Sequence, residues 1–176
     1  MKGTEMTRKK VVAFLATLAA LMAVALLAGA CGTGASVAET RPDADFSAVM
    51  NSDWILSEIR DDSQAVFMDR ERHIKMGLGD IFTIRFDGER AFGTAMPNTF
   101  SGSYALGDND TMTFAGTIMV STMASLIELD EITEDDFISY LYNVFAWNLA
   151  DENLELYTTN DTGSVAVLVF APLEHN

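Results

Sequence analysis

Cysteine and histidine are nearly absent from this 176-residue chain, which contains one cysteine and two histidines. One cysteine excludes an intramolecular disulfide, and a zinc site would need three or four Cys and His ligands at set spacing. Catalysis by a Ser-His-acid set needs an oriented histidine. His175 is the penultimate residue, and His73 lies in the charged run DRERH, where we expect a solvated face. Because a glycine-rich phosphate loop is also missing, we expect no enzymatic activity, no metal and no cofactor.

Basic residues are also few, and they are concentrated at the N-terminus. Beyond residue 30 the chain keeps seven basic and twenty-five acidic residues, a formal charge of about −18. Such a surface repels nucleic acid and anionic lipid. The acidic stretches GDNDT (107–111) and ELDEITEDD (128–136) could offer oxygen ligands to calcium, but neither matches an EF-hand loop. Turn chemistry accounts for the first stretch, and a helix N-terminus accounts for the second.

The first thirty residues have the form of a secretory signal. Four basic residues precede an uncharged run, 11–30, built almost wholly of Ala, Leu, Val and Met. The only cysteine, Cys31, follows the small residues Ala28, Gly29 and Ala30. This junction resembles a bacterial lipobox, with Ala28 where Leu is usual, and predicts a lipoprotein signal peptide over 1–30 and acylation of Cys31, for example by palmitate. Simple cleavage and retention as an uncleaved membrane span are the alternatives, since twenty apolar residues could just cross a bilayer.

Lipidation would place the exported protein at the cell envelope, on the outer membrane or the extracytoplasmic face of the cell membrane. Residues 31–52 are small, polar and aperiodic, which predicts a flexible tether. An ordered arm is the alternative, because Phe46, Val49 and Met50 could dock onto a core. Residues 53–176 then form a single domain.

Periodicity within this domain predicts about eight strands and one clear helix. The helix begins at Thr133, an N-cap residue with Asp136 three places on, and Asp87-Gly88 is the strongest hairpin signal. A short helical turn is expected at 69–76. The strands are expected at 54–59, 65–68, 81–86, 89–94, 97–106 and 111–116, with an apolar segment at 117–125, and then at 145–149, 153–157 and 165–170. The fold class is α+β, with a mainly antiparallel, curved or barrel-like sheet.

The stretch PNTFSGSYAL places Asn98, Phe100, Gly102 and Tyr104 on one face of a strand, because side chains alternate along a strand. An asparagine and a glycine among aromatic residues are unusual for a plain core face. We expect a structural role, in which Asn98 satisfies backbone groups where the chain enters the strand. Gly102 would leave room for an aromatic such as Tyr104 or Trp54 to cross it.

The order of these motifs resembles the META domain family, also called HslJ-like, over about residues 53–171. The matching pieces are Trp54, Gly93, NTFSGSY (98–104), Thr122-Met123-Ala124, the helix around 137–141, and the NLELY and VLVF strands. The family usually has Gly-Cys before the Asn and Met-Ala-Cys in the second motif. Here Met96, Pro97 and Ser125 occupy those places, so any role of that cysteine pair is absent.

The resemblance implies an envelope protein of a type linked to heat shock or motility, with a fold similar to lipid-binding pilot proteins of type III secretion and without an established catalytic activity. Our leading hypothesis is therefore a non-enzymatic, lipid-anchored protein with a stress-related role or a role in binding another envelope protein. The alternative is a carrier that binds a lipid or small apolar ligand inside the barrel, because ten Met and eleven Phe could line such an interior.

Overall fold

The structure is a computed structural model that describes residues 45–124, 127 and 129–174. The signal segment, Cys31, the tether up to residue 44, Ser125 and His175 lie outside the described residues. The helices are a 3-10 helix (Phe46–Ala48), α1 (Arg70–Lys75) and α2 (Glu134–Tyr142). The strands are β1 (Asp53–Asp61), β2 (Ala65–Phe67), β3 (Thr83–Asp87), β4 (Arg90–Ala95), β5 (Asn98–Leu106), β6 (Met112–Val120), β7 (Ala146–Ala150), β8 (Asn153–Thr159) and β9 (Val165–Pro172).

The strands form one curled antiparallel sheet, a half-barrel, which confirms the predicted fold class. Eight strands follow the order β6-β5-β4-β3-β1-β9-β8-β7, and β2 pairs with β1 beside this path. The Asp87-Gly88 signal is also confirmed, since Asp87 pairs with Arg90 across a two-residue loop in which Gly88 has φ +56°. Positive φ at the first loop residue suits the twist of a two-residue hairpin.

Strand β6 unites two segments that the sequence presents as separate. The register with β5 shifts between the pairs Ser101–Met119 and Ser103–Ala115, and Gly116 has φ +75°. A bulge of this kind inserts extra residues and bends the strand. The apolar segment after residue 116 is therefore the continuation of β6 up to Val120.

Residues 45–50 form part of the folded domain. Phe46 and Val49 are buried, and the indole Nε1 of Trp54 donates a hydrogen bond to the carbonyl oxygen of Val49 over 2.9 Å. Burial of one phenylalanine side chain contributes about 1.5–3 kcal/mol to the docking of this arm. The sequence predicts a flexible tether over residues 31–52, with an ordered arm as the alternative; in the described part of this segment, Phe46 and Val49 are docked.

Helix α2 packs against the concave side of the sheet. Thr133 and Asp136 form the capping box that the sequence indicates, with the Asp136 N–H donating to Thr133 Oγ1 over 3.1 Å. Phe137 and Leu141 are one turn apart and fully buried. Because the helix is apolar on this face, it fills the concavity rather than lining an empty one.

Aromatic side chains occupy the concavity in two groups. Near one end, Phe46 contacts Phe86, Tyr104 and Trp147, with ring centroids 4.7–5.6 Å apart. The second group surrounds Phe137 of α2, with centroid distances of 5.2–6.4 Å, and consists of Phe82, Phe100 and Phe170. In the described part of the chain, the concave face is thus packed with the protein's own side chains.

The sheet edges β6 and β7 meet only where both strands begin. Thr111 bridges to Ala146, and the Met112 N–H donates to the Phe145 carbonyl over 3.2 Å. Further along β6, the Tyr142 hydroxyl of α2 accepts from the Ile118 N–H at 2.8 Å and donates to the Ile118 carbonyl at 3.2 Å. One side chain therefore satisfies both edge groups of Ile118, which blunts an edge that could otherwise pair with another chain.

Among the described residues, no helix has the length and hydrophobicity of a transmembrane segment.

Candidate functional site

Asn98 lies at the start of β5 and joins three segments of the chain. Its Oδ1 accepts from the Met123 N–H at 2.6 Å and from the Ser121 hydroxyl at 3.0 Å. Its Nδ2 donates to the Met123 carbonyl at 3.3 Å and to the two carboxylate oxygens of Glu134 at 3.0 and 2.8 Å. The buried amide thus ties the segment after β6 and the N-terminus of α2 to the first residue of β5.

The other motif positions on this face of β5 enter the core. Asn98, Phe100, Gly102 and Tyr104 are all buried, as strand alternation predicts. The Tyr104 hydroxyl donates to the Gly88 carbonyl over 2.6 Å. Burial raises the pKa of Tyr104, and the carboxylates of Asp87 and Glu89 raise it further. Tyr104 is therefore a neutral donor that holds the β3–β4 turn against the core.

The two motif glycines allow close contacts of different kinds. A Cβ at Gly102 would lie 3.2 Å from Ile118 Cγ1 and 3.5 Å from Phe114 Cδ1. The nearest side chains therefore belong to β6, and the aromatic among them is Phe114, where the sequence suggested an aromatic such as Tyr104 or Trp54. A Cβ at Gly93 would overlap the carbonyl oxygen of Thr83 and lie 2.7 Å from its carbonyl carbon. Gly93 thus lets the start of β3 approach the paired strand β4 closely.

The residues Thr122, Met123 and Ala124 lie on the surface directly after β6. The backbone of Met123 is fixed on both its N–H and its carbonyl by Asn98. Its side chain, by contrast, is 59% exposed. The two family motifs are therefore linked, because the buried amide of Asn98 in the first fixes the backbone of Met123 in the second, whose side chain is exposed.

A cleft lies at this end of the half-barrel, and we call it the Met96 cleft. It has two lobes, of about 520 and 470 Å³, which share Met96, Pro97 and Ile127 as lining residues. Both volumes fall within the range of about 300–1,000 Å³ that is usual for ligand sites. The first lobe is further lined by Phe82, Met123, Leu129, Ile132, Thr133, Glu134 and Asp135. The second is further lined by Leu78, Asp80, Ile81, Thr94, Asn98 and Ala124.

The charged residues that line the Met96 cleft are all acidic. Glu134 and Asp135 belong to the first turn of α2, and Asp80 lies on the opposite lobe. Neither lobe contains a Lys, Arg or His among its described lining residues. The cleft thus combines an apolar floor with a negative border, an arrangement suited to binding apolar groups that carry positive charge.

The prediction that His73 lies on a solvated face, which is based on its charged neighbours in the sequence, is wrong. Its side chain is completely buried, and its Nε2 lies 3.4 Å from Oε1 of Glu131. The charged neighbours instead reach outwards, as in the ion pair between Arg72 and Asp130 at 3.2 Å. The His73–Glu131 pair joins α1 to the segment that precedes α2, which is also the segment that supplies Leu129 and Ile132 to the cleft.

A second polar cluster lies on the opposite face of the sheet. The Glu155 carboxylate accepts hydrogen bonds from Arg60, from Asn148 at 3.0 Å and from Tyr157 at 2.9 Å. Burial acts to raise the pKa of Glu155, but these bonds outweigh it and lower the pKa. The Glu155 carboxylate is thus paired with Arg60 and hydrogen-bonded by side chains of β7 and β8. We interpret the cluster as a structural ion pair with supporting hydrogen bonds.

Within residues 45–124, 127 and 129–174, no three His, Cys, Asp or Glu side chains converge in a way that could hold a metal ion. The acidic stretch at 107–110 forms a turn, in which Asn109 and Asp110 both have φ +57°.

The sequence matches the model of a known protein family, the META domain, over residues 47–172. The chain belongs to the META domain family. The match begins within the 3-10 helix, in line with the docked position of residues 45–50. The family that the motifs of the sequence suggest is thereby confirmed.

Two solved structures are similar to this META domain at low sequence identity. An NMR structure of a protein from Burkholderia xenovorans superimposes with a TM-score of 0.52 at 18% identity, over 77% of this chain and 98% of that chain. A crystal structure of a DUF4847 family protein from Bacteroides vulgatus has a TM-score of 0.47 at 13% identity, over 74% of this chain and 99% of that one. Among curated proteins, none matches the chain.

The motif residues of the site can be recognised in the sequence, whereas the cleft beside them cannot. In the sequence, Met96 is notable only as a departure from the family pattern. Glu134 is notable only as part of a helix start. The cleft is assembled from the β4–β5 turn, the segments before β3 and after β6, and the start of α2. The abundance of methionine was the one available signal, since flexible thioethers are common at adaptable binding surfaces.

Proposed function

We propose that this protein is a non-enzymatic, lipid-anchored protein of the bacterial cell envelope, whose META domain binds another envelope polypeptide through the Met96 cleft. The observation that carries the proposal is the position of Met123. Its side chain is apolar and 59% exposed, although its backbone is held rigidly by the buried Asn98. A fixed backbone that presents an apolar side chain is a preorganised contact, because little entropy is lost when a partner binds.

The packing of the half-barrel favours a binding module over a carrier with an internal ligand. In the described residues, the concave face is filled by α2 and by the two aromatic groups. The open volumes of the Met96 cleft lie at the end of the sheet, where Met123 is accessible to a partner. A macromolecular partner can reach such a surface without the barrel opening.

The first test measures apolar binding with Nile red, a neutral dye whose fluorescence rises in apolar surroundings. Met123→Glu should weaken dye binding by about tenfold, equivalent to about 1.4 kcal/mol, because it places a carboxylate against the apolar probe. Met119→Glu is the matched control. Met119 is 61% exposed and lies four residues earlier, outside the residues that line the cleft. Equal dye binding by both variants and the parent would rule out the cleft as the apolar surface.

The lipid anchor is tested at Cys31. The full-length chain with Cys31→Ser, expressed in a bacterium with a lipoprotein pathway, should move from the membrane fraction to the soluble extracytoplasmic fraction, since the acyl chains supply the membrane affinity. Immunoblots of fractions washed in high salt give the readout, and Ser36→Cys in the same variant controls for the position of the thiol. Retention of Cys31→Ser in the washed membranes would contradict lipidation and favour an uncleaved span.

A further inference from the structure

We propose that the occupant of the Met96 cleft is a basic amphipathic segment, whose apolar side chains enter the two lobes and whose Lys or Arg side chains meet the acidic border. This inference rests on the proposed function and specifies the chemistry of the partner.

The shape of the cleft supports two apolar anchors. Met96 and Pro97 line both lobes, so that the lobes are neighbouring recesses that share apolar side chains. Side chains on one face of an amphipathic segment recur every three or four residues in a helix, and such anchors commonly occupy neighbouring recesses of a groove. The flexible side chains of Met96 and Met123 can adjust to anchors of different shapes.

The charges at the border favour a cationic partner. Asp135 is exposed at the N-terminus of α2, and Asp80 is exposed on the other lobe. The basic residues of α1 already have partners: Arg70 donates to the Gly79 carbonyl and interacts electrostatically with Asp80, Arg72 pairs with Asp130, and Lys75 pairs with Glu71. No described lining residue is basic, so the charge of the border carboxylates is offset only in part, by Arg70 near Asp80 outside the lining.

The overall charge argues against the other occupants. The exported part carries a formal charge of about −18, so a second copy of the chain or an anionic bilayer would be repelled. A basic segment gains from the same field, which accelerates encounter and disfavours acidic competitors. The partner that fits both the apolar floor and the charge is therefore a polypeptide segment with interspersed Lys or Arg.

The experiment compares two fluorescein-labelled synthetic peptides that share apolar residues at helical spacing and differ only in carrying Lys or Glu between them. Fluorescence anisotropy should show the Lys peptide binding at least about thirtyfold more tightly than the Glu peptide, with a difference that shrinks at high salt. Asp80→Asn/Asp135→Asn should weaken the Lys peptide by about fivefold to tenfold and leave Nile red binding unchanged. Asp62→Asn/Glu152→Gln removes the same net charge at exposed positions outside the cleft lining and should leave the Lys peptide close to the parent value.

The outcomes separate this inference from the proposed function. Equal affinity for both peptides, abolished by Met123→Glu, would overturn the charge preference and leave the apolar cleft as a binding surface. Displacement of Nile red by lysophosphatidylcholine but by neither peptide would overturn the inference in favour of a lipid. If Met123→Glu changes neither dye nor peptide binding, the proposed function fails together with the inference.

Discussion

Alanine at position 93 is expected to destabilise the domain severely. A Cβ added to Gly93 would overlap the Thr83 carbonyl oxygen and lie 3.0 Å from Phe100 Cε1. Overpacking against a side chain can be relieved by a new rotamer, but the main obstacle here is the backbone of β3, which is itself held in the sheet between β1 and β4. The added methyl group can therefore be accommodated only if two strands separate.

The expected loss is about 3 kcal/mol or more, since backbone overlap belongs to the few mechanisms that exceed the usual range for point mutants. Local bonds make the separation costly. The hydroxyls of Thr83 and Thr94 are 2.8 Å apart, and the Thr94 N–H donates to Thr83 Oγ1 over 3.1 Å. Urea unfolding of residues 42–176, followed by far-UV circular dichroism, measures the change in midpoint.

Two other glycines provide a graded comparison. At Gly102 the nearest atom to an added Cβ is Cγ1 of Ile118, at 3.2 Å, so Gly102→Ala should cost clearly less than Gly93→Ala. At Gly79 the nearest atom is Cγ1 of Ile74, at 3.7 Å, and the backbone is not left-handed. Gly79→Ala should thus be neutral or slightly stabilising. A midpoint for Gly93→Ala close to that of Gly79→Ala would contradict the close approach of the Thr83 carbonyl to Gly93 as the cause of the loss.

The parts of the fold that could be predicted are those whose cause lies within a few residues. The capping box of Thr133 and Asp136 and the hairpin at Gly88 each depend on local chemistry alone. The alternation of Asn98, Phe100, Gly102 and Tyr104 equally follows from the geometry of one strand. Because these signals are local, the order of the elements and the fold class can be predicted from the sequence.

The parts that could not be predicted depend on packing between distant segments. His73 is buried because α1 lies against the segment that carries Glu131, a contact that no local pattern encodes. Likewise, Gly116 becomes a bulge within β6 only through its register with β5. The Met96 cleft depends on four segments meeting at one end of the sheet, so the sequence could supply the residue types of the site but not their convergence.

Aspartate at position 98 is expected to have the second large effect, because it is nearly isosteric with asparagine but replaces the Nδ2 donor, which bonds Glu134 and the Met123 carbonyl, by an acceptor. The oxygen that accepts from Met123 and Ser121 is retained. The Nδ2 donor, however, becomes a second carboxylate oxygen facing the Glu134 oxygens, which lie 2.8 and 3.0 Å from Nδ2 in the parent. Two carboxylates at this distance in a largely buried position repel each other and lose the bond that satisfied both.

At pH 7 this substitution should cost about 3–5 kcal/mol, as expected when a buried charge loses its partner, whereas Asn98→Ala should cost about 1–3 kcal/mol for lost hydrogen bonds. The pH dependence also differs. Two adjacent carboxylates hold a proton more tightly in the folded state than apart in the unfolded chain, so the pKa of the pair is raised on folding. The deficit of Asn98→Asp relative to the parent should therefore shrink as the pH falls from 7 towards 5, while that of Asn98→Ala should stay nearly constant.

The double variant Asn98→Asp/Glu134→Gln exchanges the donor and the acceptor across the same contact. An amide at position 134 can donate to the carboxylate introduced at position 98, so that most of the lost stability should return at pH 7. Nile red binding should follow the same order, because the backbone of Met123 depends on residue 98 for its position beside the cleft. If the double variant is no more stable than Asn98→Asp alone, repulsion from Glu134 does not explain the loss. If it recovers stability without dye binding, Asn98 does not hold the wall of the Met96 cleft in place.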